Sequence, residues 1–239
     1  MYASSFPYPT NQGVKPAARD AEADSMQDLP SDPWQSPLMG VIRRNPGQSA
    51  KAQATMLRER RAQLADRDRD ESLSWEKGAD GERLVGNLLD WSLDPLRWLV
   101  LHDLQLTPNG ANVDHLVIGP PGVFTINTKN HMGRHVWVSK RAVWVAGHPT
   151  DYLKKARWEA QEVRRHLKER IPGDVPVTPV LALITDRLTV RGLPDDVGVA
   201  AAQHLDEWIA SHVRRLRNIE TVLLQHAAGD WARSMAMSA

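Results

Sequence analysis

The sequence predicts an α/β protein in which helices flank a mixed central sheet. Helical and strand-like patterns follow one another as a helix, three strands, a hairpin, a helix, two strands and a helix. The 30 basic and 29 acidic residues give a net charge of +1, which excludes a protein that coats nucleic acid through its overall charge. Cysteine is absent, which excludes disulfide scaffolds, thiolate metal sites and cysteine nucleophiles.

Four segments of different composition are predicted along the chain. The first is rich in proline and has no helical or strand period, so we expect it to be disordered. The second is rich in helix-forming residues of mixed charge and is predicted to be a helical arm. We expect Gly78 and Gly81 to end this arm and a second helix to begin near Asp80. The segments are a disordered tail over 1–49, a charged helical arm over 50–77, the main domain over 78–215 and a C-terminal helical segment over 216–239.

Short apolar runs in the first half of the main domain are predicted to be strands. The turn from Gly119 to Gly122 joins the second strand to the third, and two further runs form a hairpin. The predicted strands cover 98–101, 112–118, 123–129, 135–138 and 142–145.

The second half of the main domain contains two helices and two strands in this prediction. One apolar run contains Pro176 and Pro179, which have no N–H group to donate, so its strand is predicted to begin near Val180. The other predicted elements are a long helix over 151–170, a short strand over 197–200 and a helix over 205–215.

No apolar run approaches the roughly 18 residues that a membrane-spanning helix needs. The N-terminus also lacks the charged and then apolar pattern of a secretion signal. We therefore expect a cytoplasmic protein that does not bind a membrane. Nothing in the residue pattern indicates an oligomeric state.

Two neighbouring predicted strands carry polar residues toward one end of the sheet. Asp114 interrupts an apolar strand, where an unpaired carboxylate is costly. Pairing about the turn places residue 114 opposite residue 127, and Asn127 and Lys129 share a strand face because strand side chains alternate. We expect Asp114, Asn127 and Lys129 to converge, with Glu82 within reach from the preceding helix.

Such a cluster suits the hydrolysis of a phosphodiester bond. Oxygen ligands suit Mg²⁺ or Mn²⁺, which retain several waters and bridge to a phosphate. A bound ion polarises the phosphoryl oxygen and lowers the pKa of the attacking water. A neighbouring lysine would orient that water and stabilise the developing charge.

Four blocks of residues stand in a defined order in this part of the sequence. They are Gly78-Ala-Asp-Gly-Glu-Arg83, Asn112-Val-Asp-His-Leu-Val-Ile118, Pro121-Gly-Val-Phe-Thr-Ile-Asn-Thr-Lys-Asn130 and Gly133. Together they resemble the nuclease-related domain, a family of the PD-(D/E)xK, restriction-endonuclease-like superfamily. The resemblance covers roughly Gly78 to Ser211 and implies a restriction-endonuclease-like mixed sheet with a Mg²⁺-dependent site that cleaves DNA.

The resemblance also implies roles for individual residues. By this match Glu82 is the helix carboxylate, Asp114 the metal-binding aspartate and Lys129 the catalytic lysine. Gln161 matches a glutamine that supports the site from the helix after the sheet. The implied metal ligands are Asp114, Glu82 and, in the position described next, Asn127.

Asn127 departs from the family pattern, which has an acidic residue two positions before the lysine. Its carbonyl oxygen can bind a hard cation but carries no charge, so the affinity for Mg²⁺ should fall. Three outcomes stay open at this point. Either Glu82 and Asp114 suffice to bind the cation, or the acidic ligand has moved to Glu159 or Glu162, or catalysis is impaired.

The predicted helix over 151–170 has seven basic and three acidic residues between positions 154 and 170. Basic side chains beside an aromatic ring suit contact with a phosphate backbone without base readout. An ordinary solvated amphipathic helix is the alternative. The predicted DNA-binding residues are Lys154, Arg157, Trp158, Arg164, Arg165 and Lys168.

The resulting hypothesis is a metal-dependent nuclease that hydrolyses DNA in DNA processing or repair. The sequence does not indicate whether the substrate is single-stranded, duplex or branched DNA, or RNA. One alternative is a catalytically impaired module that binds DNA or a protein partner, since Asn127 replaces the usual acid. A purely structural scaffold is the third hypothesis.

Overall fold

The computed structural model describes residues 47, 50, 51, 53–55, 67–107 and 110–237. The chain divides into the units Met1–Gln35 and Ser36–Ala239, and every described residue belongs to the second. The predicted disordered tail, except for residue 47, and much of the predicted arm lie outside the described residues. Residues 50, 51 and 53–55 are helical, as expected for the arm.

From residue 67 onward the chain forms an ordered succession of helices and strands. In chain order they are α1 (Arg67–Ser92), β1 (Leu99–Gln105), β2 (Asn112–Gly119), β3 (Gly122–Asn130), β4 (His135–Val138), β5 (Val143–Val145), β6 (His148–Pro149), α2 (Tyr152–Lys168), β7 (Val177–Ile184), β8 (Arg187–Val190), β9 (Gly198–Ala201), α3 (Leu205–Ala210) and α4 (Asn218–Met237).

The main sheet has five strands in the order β1-β2-β3-β7-β9. The first three are antiparallel neighbours, whereas β3 pairs with β7 and β7 with β9 in parallel. The chain between β3 and β7 contains α2, as the crossover between parallel strands requires. The predicted mixed central sheet with flanking helices is therefore confirmed.

Both faces of the main sheet are buried, because its strands alternate side chains between two apolar layers. Leu116 faces a core that includes Val163 of α2 and Trp231 of α4. Val117 faces the opposite core, which includes Leu89 of α1 and is completed by α3. Helices α2 and α4 therefore cover one face, and α1 and α3 cover the other.

A second, smaller sheet has the strand order β6-β5-β4-β8. It includes the predicted hairpin, which is confirmed by the pairing of β4 with β5. Val136 and Val138 of β4 pack in one cluster with Leu153 and Ala156 of α2. Strands β6 and β8 were not predicted, because each is short and lacks a clear apolar alternation.

Helix α1 runs without interruption through Gly78 and Gly81, so the predicted helix break is wrong. A Cβ atom at Gly81 would lie 2.9 Å from Asn130 Cβ and 3.2 Å from Ile184 Cδ1. Glycine at position 81 therefore permits close packing of α1 against the ends of β3 and β7. A glycine inside a helix signals such an approach as readily as it signals a helix end.

The predicted start of β7 near Val180 is also wrong, since the strand begins at Val177 and includes Pro179. Pro179 is paired with Thr125 of β3, but the pairing with β9 begins only at Val180. The first residues of β7 thus have a neighbouring strand on one side only. Proline is tolerated there because it leaves no ladder hydrogen bond unmade on the open side.

Helix α3 ends at Ala210, five residues earlier than predicted. The backbone N–H groups of Arg215 and Leu216 donate to the carbonyl of Pro120 in the β2–β3 turn. Those residues therefore satisfy their hydrogen bonds against the sheet rather than within a longer helix. Among the described residues, no helix is both long and apolar enough to cross a membrane.

Candidate active site

The β2–β3 hairpin sets the register that the sequence predicts. Gly119 is opposite Gly122 and His115 is opposite Ile126, so continuing the register by one residue places Asp114 opposite Asn127. Asp114 Oδ2 accepts a hydrogen bond of 2.6 Å from the backbone N–H of Thr128. The carboxylate is thus held by the neighbouring strand, and it is only 7% exposed.

Asp114 and Lys129 line one cleft of about 550 Å³ at this end of the sheet. Glu82 of α1 lines the same cleft, and Tyr152, Lys155 and Trp158 of α2 form part of its wall. The predicted convergence of two carboxylates and a lysine is therefore present in the geometry. What these side chains do stays a prediction.

Glu82 reaches the cleft because Gly81, the residue before it, lets α1 lie against the end of β3. The pKa of the Glu82 carboxyl is raised to about 8. Burial is the largest cause, and the negative charge of Asp114 is the second. Lys129 acts in the opposite direction. Two carboxylates thus share a poorly solvated site with Lys129, and Lys155 contributes a weaker opposing charge.

Lys129 is held at the rim of the cleft by two contacts. Its Nζ donates to the backbone carbonyl of Thr128 at 3.1 Å and lies 5.3 Å from the centre of the Tyr152 ring. Burial lowers the pKa of the Lys129 ammonium, while Asp114 opposes that shift. A lysine of lowered pKa beside carboxylates is a feature of functional sites.

Asn127 is buried behind this cleft and contacts a buried glutamate on α2. Its Nδ2 donates to Glu159 Oε1 at 2.7 Å and to Oε2 at 2.9 Å. Burial, with a further contribution from Asp114, raises the pKa of Glu159 to about 7. Lys155 approaches the same carboxylate at 3.7 Å. Of the two acids considered as replacements for the missing one, Glu159 thus lies beside Asn127, whereas Glu162 pairs with Arg165.

The donor set fits a hard divalent cation on chemical grounds. Asp114 and Glu82 present carboxylates to one cleft, and the buried Oδ1 atom of Asn127 has no hydrogen-bond partner in the described structure. Positive charge would relieve the repulsion that raises the pKa of Glu82. Among the described residues, however, no group of three or more His, Asp or Glu side chains is arranged to hold a metal ion. A cation here would therefore depend on two carboxylates and neutral oxygen donors.

Asp103 is a buried acid near the site that the sequence analysis did not single out. It has a positive φ of 50°, and the β1–β2 pairing omits it between His102 and Leu104. Its Oδ1 accepts a hydrogen bond of 2.5 Å from Asn112 Nδ2. Its charge also raises the pKa of Glu82. An aspartate within an apolar strand, the signal that identified Asp114, was available here too.

Gln161 is exposed on α2 and does not line the cleft. The structure shows no contact between Gln161 and the cleft, so its predicted supporting role stays a prediction. His131 does line the cleft, stacks on Tyr152 and shares a 3.0 Å hydrogen bond with its hydroxyl. Burial and the nearby Lys129 lower the pKa of His131 to about 4, so it is neutral at pH 7.

The three arginines of the predicted DNA-binding surface are engaged in ion pairs. Arg157 binds both carboxylate oxygens of Asp196, and Arg164 binds both of Asp174. Arg165 is paired with Glu162 and Glu169. The positive charge offered by α2 is therefore smaller than the residue count suggests. Lys154 and Lys168 are exposed, and Trp158, 38% exposed, lies at the cleft.

The fold and the site define an α/β protein with a polar cleft where two adjacent strands of a mixed sheet end. Residues 77–184 match the model of the family described as the nuclease-related domain. The resemblance predicted from the sequence is thereby confirmed for this part of the chain.

One curated relative extends the comparison. A protein of Bacillus anthracis, itself described as uncharacterized, is 40% identical to this chain over 74 residues. That segment is 30% of this chain and 34% of the relative, so the chain spans about a third of the relative's length. No solved structure matches the chain significantly.

Proposed function

We propose that the chain is a metal-dependent nuclease that hydrolyses phosphodiester bonds of DNA in the cytoplasm, in DNA processing or repair. The observation that carries this proposal is the presence of Glu82, Asp114 and Lys129 in one cleft. The match of residues 77–184 to the nuclease-related domain supports it. The lack of cysteine is compatible with a reducing compartment.

Asp114 and Glu82 would hold Mg²⁺ or Mn²⁺, and Asn127 Oδ1 would be a neutral oxygen donor beside them. When bound, such an ion polarises a phosphoryl oxygen and lowers the pKa of a water molecule. The hydrogen bond from the Thr128 N–H fixes Asp114 before any ligand arrives. Fixed donors of this kind avoid a cost of reorganisation during the reaction.

Lys129 would stabilise negative charge that develops on the phosphate. Its contacts with the Thr128 carbonyl and the Tyr152 ring restrict the position of Nζ. Its lowered pKa makes the ammonium a readier proton donor than an exposed lysine. Lys155 and Trp158, which line the same cleft, would contact the DNA backbone and a base near the reacting phosphate.

Plasmid nicking in Mg²⁺ or Mn²⁺ tests the proposal. We expect Asp114→Ala and Lys129→Ala to lower the rate about 100-fold or more, the size seen when one group that stabilises a transition state is removed. Trp91→Ala, which changes an 88% exposed side chain on α1, is the matched control and should cleave like the wild type. Equal cleavage by the wild type and both site variants would overturn the proposal.

The impaired module is the second candidate, and the contact between Asn127 and Glu159 favours it. This contact places the only charge of the pair on α2 rather than on β3. The double variant Asn127→Asp with Glu159→Gln exchanges donor and acceptor, so it keeps the hydrogen bond and moves the charge to β3. If this variant cleaves DNA and the wild type does not, the native chain is a binding module. If both cleave at similar rates, Asn127 is sufficient as it stands.

A further inference from the structure

The outward face of the smaller sheet carries two neighbouring tryptophans. In β4 and β5 the valines face inward and are buried, so Trp137 and Trp144 face outward on adjacent strands. The two tryptophans are directly paired across the strands, with ring centres 5.7 Å apart and planes inclined by 35°. Trp137 is also opposite Thr189 of β8. The result is a row of two partly exposed indole rings and a threonine across three strands.

Basic groups surround these rings. The Arg191 guanidinium lies 5.3 Å from the centre of the Trp137 ring. His135 of β4 is a diagonal neighbour of Thr189 of β8, and its Nε2 lies 2.8 Å from Thr189 Oγ1. The rings and these groups line a depression of about 320 Å³. Lys140 lies beside Gly192, the residue after Arg191, since a Cβ atom on Gly192 would be 3.1 Å from Lys140 Cγ.

The charge of this sheet is of one sign. Residues 134–149 and 187–192 contain no Asp or Glu. They contain five exposed basic residues, and none of the five forms an ion pair with any residue in the described ranges: Arg134, Lys140, Arg141, Arg187 and Arg191. Asp186 flanks the surface, but its Oδ1 accepts from the Gly133 N–H. The whole chain is nearly neutral, so this is a local concentration of unpaired positive charge.

We propose that this outward face, the tryptophan surface (Trp137, Trp144, Arg187, Arg191 and Lys140), binds single-stranded DNA. Bases of a single strand would stack on the two indole rings, and its phosphates would contact the arginines and the lysine. A duplex offers its phosphates but not the faces of its bases, so the rings select the single strand. Strand β4 begins four residues after His131, which lines the candidate active site, so a bound strand has a short path to the cleft.

The inference concerns binding alone and stands apart from catalysis. Anisotropy of a labelled oligo-dT, measured with the full chain in EDTA, reports binding when no divalent ion is present. We expect Trp144→Ala and Trp137→Ala to weaken binding about ten-fold each, the size of one lost stacking contact. Trp144→Phe should retain most of the affinity, because it keeps an aromatic face and the fold. Trp91→Ala, an exposed tryptophan elsewhere, is the matched control.

The charged part of the surface has its own readout. Each phosphate contact contributes about 0.7 to the slope of log affinity against log salt for a single strand. The double variant Arg187→Glu with Arg191→Glu should therefore lower that slope by about 1.4 or more. Arg233→Glu on α4 should leave it unchanged, because α4 packs on the main sheet and takes no part in the smaller one.

Three results would overturn the proposal. One is unchanged oligo-dT affinity in both tryptophan-to-alanine variants. Another is duplex DNA of equal length bound as tightly as oligo-dT. The third is oligo-U bound more tightly than oligo-dT with the same dependence on Trp144, which would assign the surface to RNA. Failure of plasmid nicking leaves these measurements unaffected, so the two proposals fail separately.

Discussion

At the scale of single residues, the site is short of positive charge. Glu82 and Glu159 both have raised pKa values, about 8 and about 7, and burial is the largest cause for each. Asp114 raises both further through its own charge. Lys129 and Lys155 offset this only in part. Such a cluster holds protons in the free protein, and a cation that bound there would displace them.

The raised pKa of Glu82 makes the stability of the metal-free protein depend on pH. Between its ordinary value of 4.5 and about 8 the folded state binds more protons than the unfolded state, so stability falls as pH rises through this window. Glu82→Gln removes this penalty. In urea unfolding with EDTA, we expect the variant to gain about 1–3 kcal/mol over the wild type at pH 9 relative to pH 4.5.

Glu220→Gln is the control for this measurement, because its pKa is shifted the other way. A hydrogen bond from Arg217 lowers the pKa of Glu220, so its charged form is favoured in the folded state. Its replacement should bring no gain at high pH. A pH-independent difference between the wild type and Glu82→Gln would contradict the assignment of a raised pKa.

The sequence predicted the Asp114–Asn127 register because turn length and strand alternation alone determine it. It did not predict that Asn127 would contact Glu159, because that contact depends on how α2 packs against the sheet. Asp103 was missed for a different reason. The first strand was predicted to end at residue 101, before Asp103, whereas β1 continues to Gln105, so the signal of an aspartate within a strand was not applied there.

At the scale of elements, the two glycines of α1 differ in their surroundings. A Cβ atom on Gly81 would meet Asn130 and Ile184 within 3.2 Å, whereas one on Gly78 would meet nothing within 4 Å. Close packing of α1 therefore requires glycine at position 81 but not at position 78. Composition alone predicted a helix break at both.

These surroundings predict opposite effects for the same substitution. Gly78→Ala should stabilise the protein by about 0.5–1 kcal/mol, because alanine is the better helix former and has open space there. Gly81→Ala should destabilise it by about 1–3 kcal/mol through overpacking against Asn130 and Ile184. Equilibrium denaturation of both variants measures the two signs. Stabilisation by both substitutions would show that α1 does not approach β3 as closely as described.

Strand prediction succeeded where apolar runs are long. It failed where the extent of a strand depends on the strands paired with it. Strands β2 and β3 have nearly the predicted bounds, because both faces are buried and the residues beside the turn, 116–118 and 123–124, are apolar. Strand β7 includes a proline that is acceptable only because β9 starts later. Strand β8 exists through its parallel pairing with β4. Neither fact is visible in a local window of sequence.

At the scale of the whole molecule, binding of a cation should raise the free energy of unfolding of the protein. A ligand that binds only the folded state stabilises it by about 2.7 kcal/mol at 100 times its dissociation constant. For a chain of this size we expect Mn²⁺ to raise the Tm by about 5–10 °C under those conditions. Asp114→Asn should abolish most of the rise.

Glu220→Gln, on α4 and not part of the cleft lining, should retain the full increase in Tm. An equal rise in Asp114→Asn and the wild type would show that Mn²⁺ binds elsewhere. No rise in any of the three proteins would remove the cation from the proposed mechanism.

Helix α2 belongs to both sheets at once. Its first half packs Leu153 and Ala156 into the smaller sheet, and its second half packs Val163 and Leu167 into the core of the larger one. Neither half can unwind without exposing a buried layer. Its interior amides should therefore be among the slowest to exchange with deuterated solvent, and the cleft wall formed by its first turns should be correspondingly rigid.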